Sequence, residues 1–151
     1  MSNVFASIYE WLLYNMDYRL IFDCLYNGSG YGQLGLSLLL IPLLLFILYY
    51  WDSHLPWGNP YRKKFTWFIW LIIVAIIVVG SSYGIVYPAI MGSQDVSLQT
   101  ALDDLTTGYY DFAQNFFVSI SLLNGVYALL VGFLWSLLLK LKSVLHVHIP
   151  F

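Results

Sequence analysis

The side chains best equipped for chemistry are few, and they do not converge. His146 and His148 in the run His146-Val147-His148 offer two imidazole nitrogens, but no cysteine or carboxylate lies close in sequence to complete a tetrahedral metal site. Asp52 and His54 lie two residues apart, and the nucleophile of a hydrolytic triad would have to be Ser53 or a distant residue. Asp103 and Asp104 are adjacent, so on a helix they point about 100° apart and cannot share a proton as a catalytic pair does. Cys24 is the single cysteine, without a partner for an internal disulfide or a metal. Asn124, with Ser121 one turn before it, is the most polar group deep in apolar sequence. The expectation is a protein without catalytic residues, metal or cofactor.

The elements that would position these groups are built for lipid. Of 151 residues, 60% are hydrophobic, 19% aromatic and only 9% charged, where soluble domains carry about a quarter charged. Net charge is −2 with six basic residues, which leaves no basic face for nucleic acid. Phe65 to Tyr87 carries no charge, is preceded by Arg62, Lys63 and Lys64, and is followed by Pro88. A helix of that length reaches about 35 Å, enough to cross a hydrocarbon layer of roughly 30 Å. Residues 34–51 form a shorter first span around Pro42, which removes one backbone donor and therefore calls for a packed interior at that level. Residues 112–139 form a third, longer than one bilayer and so tilted or projecting.

The connecting segments fix the rest of the plan. Residues 3–26 place Asn3, Ser7, Glu10, Tyr14 and Asp17 at helical spacing on one side, which predicts an amphipathic helix lying in the interface or against the other helices. It lacks the basic start and small-residue cleavage site of a signal peptide. Asn27-Gly28-Ser29-Gly30 predicts a helix break. Residues 52–64 form a basic loop. Residues 88–111 form an acidic one, with Leu98, Leu102 and Leu105 spaced for a short helix. Arg62, Lys63 and Lys64, then Lys140 and Lys142 in the tail of 140–151, both place the same side in the cytoplasm. The reading is a single all-α integral membrane domain of three transmembrane helices preceded by an amphipathic interfacial N-terminal helix. Its N-terminus is outside, its C-terminus is cytoplasmic, and its expected location is the cell's inner membrane.

Packing motifs set the functional expectation. Gly80 and Gly84 lie four apart on one face of the second span, which allows close approach of another helix. Ser121, Gly125, Ala128, Gly132 and Ser136 form a stripe of small residues along the third, fit for a subunit contact or for the other spans of the same chain. Asn124 predicts an interhelical hydrogen bond, or with Ser121 the lining of an oligomeric pore. No Asp, Glu, Lys, Arg or His lies inside any of the three predicted spans, which disfavours proton-coupled transport and voltage sensing. The expected function is a non-enzymatic membrane subunit whose partners are other membrane helices and the lipid bilayer.

The three-span plan, N-terminus out and C-terminus in, resembles in topology that of one class of phage holins, although the strongly basic C-terminal tail is absent. The resemblance implies an alternative, an oligomeric pore-forming or membrane-permeabilising protein. A third reading, accessory subunit of a membrane enzyme, rests on Asp52, His54, His146 and His148 at the inner face.

Overall fold

The computed structural model describes residues 2–13, 18–51, 64–104 and 106–140. Among these there are six α-helices and no strand: α1 (Ser2–Leu13), α2 (Arg19–Asn27), α3 (Gly30–Trp51), α4 (Lys64–Met91), α5 (Val96–Asp103) and α6 (Tyr109–Lys140). α3, α4 and α6 are long and apolar enough to cross a membrane. Only 28% to 39% of the most apolar stretch of each is buried, so most of their apolar surface faces outward, as expected where the solvent is lipid. Leu36, Leu40, Leu44 and Leu48 on α3 and Leu122, Val126, Leu130 and Leu134 on α6 form such exposed stripes. The protein is an all-helical multi-pass membrane protein.

The three long helices alternate in direction. Tyr50 near the end of α3, Trp67 near the start of α4 and Ser136 near the end of α6 meet at one end of the bundle. Lys64 and Lys140 therefore terminate their helices at that same end. Phe46, Tyr49, Tyr50, Trp67, Leu71 and Val74 fill the interior there, and Leu38, Val78 and Ala128 continue it through the middle. A larger cluster closes the other end, where Ile21, Leu25, Val86, Ile90, Leu98, Phe116 and Phe117 pack together.

Element boundaries differ from the sequence reading in instructive ways. The first span starts at Gly30 rather than residue 34, directly after Ser29 turns the chain with φ 59°, so it has 22 residues and reaches about 33 Å, a full crossing. Pro42 sits inside it and is buried, so the packed interior expected at its level is present. The second span does not stop at Pro88 but continues to Met91. Proline removes only one helical hydrogen bond, and the buried Val86 and Ile90 on either side hold the next turn in place. The third begins at Tyr109, three residues earlier than expected, behind Gly108 with φ 64°.

The stretch 3–26 resolves into two helices, α1 and α2, each burying its own face. Ala6 and Tyr9 face the bundle from α1, while Ile21, Phe22, Cys24 and Leu25 do so from α2. Of the two expected placements, α1 takes the one against the other helices. Phe5 lies over Gly35, where a Cβ would overlap its ring, and Tyr9 stacks on Tyr31 at 6.0 Å between centroids. The pairs 5 with 35 and 9 with 31 run in opposite order, so α1 is antiparallel to the start of α3. The missing side chain of Gly35 lets the two helices approach this closely.

At the end of the bundle opposite Lys64 and Lys140, the expected short helix is α5. Its Leu98 and Leu102 are buried; Leu105 lies outside the described residues. Gln99 donates from Nε2 to the carbonyls of Ile90 and Met91, capping the last turn of α4. Asp95 caps α5: its Oδ1 accepts from the Ser97 and Leu98 backbone N–H groups and from the Ser97 hydroxyl. The Ser97 hydroxyl first, then the two backbone donors, holds the Asp95 carboxyl below its ordinary value. A depressed carboxylate contributes stability above its unfolded pKa and loses it as pH falls through the folded value. The Ser97 amide resonance should therefore hold its capped position through about pH 4, the ordinary carboxylate range, and move only in more acidic solution. In Asp95→Ala, α5 should fray at every pH.

Candidate functional site

The small-residue stripe of α6 is used inside the chain. Ser121, Gly125, Ala128, Gly132 and Ser136 are all buried. A Cβ on Gly125 would overlap the Val79 Cγ2 of α4 and lie 3.9 Å from the Val79 Cβ. One on Gly132 would meet the Leu71 Cδ1 at 3.0 Å and the Phe46 Cε2 at 3.1 Å, from α4 and α3. Of the two destinations open to the stripe in the sequence, the structure shows contact with the chain's own spans. Ser121 turns its hydroxyl back to the Phe117 carbonyl at 2.6 Å. Ser136 receives the Trp67 indole N–H at 2.7 Å and exchanges a hydrogen bond with the Tyr50 hydroxyl, also at 2.7 Å, tying three helices at one point.

Asn124 lies fifteen residues from Tyr109 and sixteen from Lys140, halfway along α6, and is fully buried. Its carboxamide is engaged at both ends. The Tyr9 hydroxyl donates to Oδ1 at 2.5 Å, and Nδ2 donates to the Ser82 Oγ at 2.6 Å. Ser82 in turn donates to the Val78 carbonyl at 2.7 Å. The relay joins α1, α6 and α4 through groups that are 1% exposed or less. In so dry a place an unpaired amide would cost several kcal/mol, on the order of a lost hydrogen bond to water, so satisfaction at both ends is what permits Asn124 there.

The other glycine pair is placed differently. Cβ atoms built on Gly80 and Gly84 would meet nothing within 4 Å, and both residues are exposed. The buried edge of α4 runs through Leu71, Val74, Val78, Ser82 and Val86, so the two glycines lie on the opposite side beside the exposed Tyr83 and Tyr87. Among the described residues, no helix packs against them.

Sequence reasoning missed Tyr9, Ser82, Gly35, Tyr50 and Trp67. Gly35 carried a readable signal, a small residue in a leucine-rich helical run, which lets a neighbouring helix approach closely. Tyr9 carried one too, a hydroxyl-bearing side chain with the apolar Phe5 and Leu13 one turn to either side of it. Asp52, Ser53, His54, Arg62, Lys63, Lys142, His146 and His148 lie outside the described residues. Asp103 and Asp104 are exposed, Asp104 holding the Thr106 hydroxyl and N–H across a turn. Cys24 is buried and its thiol faces the Ala89 carbonyl at 3.6 Å. Among the described residues no three of His, Cys, Asp and Glu gather as a metal site would require.

The arrangement is that of a bundle that pairs Asn124, Ser82, Ser121 and Ser136 in its interior and leaves one small-residue face open. No known family model, no curated protein and no solved structure matches the chain.

Proposed function

We propose that the protein is a non-enzymatic multi-pass membrane subunit that joins other membrane helices, in a copy of itself or in a larger complex, through the open face of α4. The observation carrying this reading is the emptiness in front of Gly80 and Gly84. In lipid there is no hydrophobic drive to bring helices together, and small residues favour association by letting backbones approach. A pore would need another polar lining, because the Asn124 amide and the Ser121 hydroxyl are engaged within the chain. Lys64 and Lys140 at one end of the bundle, with Arg62, Lys63 and Lys142 close by in sequence, support a cytoplasmic placement of that end in the inner membrane.

The test uses single cysteines in a Cys24→Ser background, oxidised in native membranes. Gly80→Cys and Gly84→Cys should give cross-linked species of higher mass, and Ile72→Cys, also exposed but further along α4, much less. Gly80→Leu with Gly84→Leu should remove the assembly from native gels while leaving the chain folded. No higher-mass species at either glycine would refute the proposal.

A further inference from the structure

A cavity of about 260 Å³ lies where α1 meets α3 and α6, independent of the assembly face on α4. Phe5 and Ile8 supply one wall, Leu38 and Leu39 the second, Leu130 and Val131 the third. We infer that it holds one acyl chain of a membrane phospholipid. Three observations carry this.

First, these walls are hydrocarbon. Tyr9 and Tyr127 complete the lining, yet no polar atom presents surface to the cavity, and the Tyr9 hydroxyl is committed to Asn124. Water placed there would find too few partners to stay, whereas apolar voids of roughly 150 Å³ already accept a molecule the size of benzene. Second, the cavity opens onto the outward surface of the bundle. Ile8, Leu39 and Leu130 at its rim are 41%, 36% and 60% exposed and continue the apolar stripes that face lipid. Third, it is deep. Leu38 is eight residues from the start of α3 and Val131 nine from the end of α6, which is about 12 to 14 Å from the nearest helix end. At that depth in a hydrocarbon layer roughly 30 Å thick only the tail of a lipid reaches the opening. A free fatty acid bound wholly inside would have to carry its carboxylate into the hydrocarbon, which is costly. A chain lodged in the cavity restores the dispersion contacts that an empty void denies its walls.

The full chain, reconstituted in phosphatidylcholine vesicles containing a fraction of lipid with a diazirine near the end of one acyl chain, is photolysed and its adducts mapped by mass spectrometry. Adducts should concentrate at Leu38, Leu39, Leu130 and Val131, several-fold above the exposed Leu44, Leu48, Leu134 and Leu138. Filling the space with Leu38→Phe or Val131→Phe should abolish the enrichment and leave labelling at the other four leucines unchanged. Even labelling along the exposed stripes of the unmodified protein would overturn the inference without recourse to any variant. So would enrichment that survives both substitutions, or enrichment from a diazirine fatty acid and none from the phospholipid.

Discussion

Gly125→Leu should separate α6 from α4 and cost the bundle roughly 1 to 3 kcal/mol or more, the range for inserting methylenes into a packed interior. The reason is local. A side chain at 125 meets Val79, a β-branched residue whose Cγ2 sits one bond from the Cβ and has one strongly preferred rotamer in a helix, so it cannot swing aside. Gly132 faces the far end of Leu71 and the edge of the Phe46 ring, which have more freedom to give. Gly80 and Gly84 face open space. Alanine substitutions should therefore rank Gly125 worst, Gly132 milder and the Gly80 and Gly84 pair near neutral for the folded monomer. Reversible unfolding in detergent micelles measures the order. A loss at Gly84 equal to that at Gly125 would contradict the packing described.

The second large effect belongs to the Tyr9, Asn124 and Ser82 relay. Tyr9→Phe removes the donor to Asn124 Oδ1, and Asn124→Leu strands the Tyr9 hydroxyl. Each leaves one buried polar atom unmet, at about 1 to 3 kcal/mol. The double variant Tyr9→Phe with Asn124→Leu removes both partners and should be less destabilised than the sum, because paired replacement by apolar groups is close to neutral. Coupling of about 0.6 to 1.7 kcal/mol is the scale for interhelical hydrogen bonds in membranes. Additive losses would mean that Tyr9 does not reach Asn124. Ser82→Ala leaves Nδ2 unmet just as Tyr9→Phe leaves Oδ1 unmet, and should fall in the same range.

The spans were legible because uninterrupted apolar runs bounded by basic clusters or prolines have one plausible fate in water. The five-residue stripe on α6 was legible because helical spacing alone puts its members on one face. What covers the stripe was not, since a groove for a neighbouring chain and a groove for Val79 read the same in one dimension. Asn124 was visible as a group in need of partners, yet Tyr9 stands 115 residues away and nothing local pairs them. Pro88 misled because its ordinary effect is to end a helix, and the buried Val86 and Ile90 override it. The single helix expected over 3–26 failed for a related reason: its periodicity was real, but α1 and α2 each turn their apolar residues to a different part of the bundle.

These findings share one premise, that the small-residue face of α6 is closed by α4 of the same chain, which leaves Gly80 and Gly84 as the face we propose for other helices. The most direct measurement is oxidation of Val79→Cys with Gly125→Cys in a Cys24→Ser background. Their Cβ positions are 3.9 Å apart, inside the range of about 3.5 to 4.5 Å that a disulfide spans, and the change at 79 also removes the methyl that opposes a side chain at 125. The pair should oxidise readily within one chain and migrate as a monomer. Failure to form, or a bond found only between chains, would contradict the account.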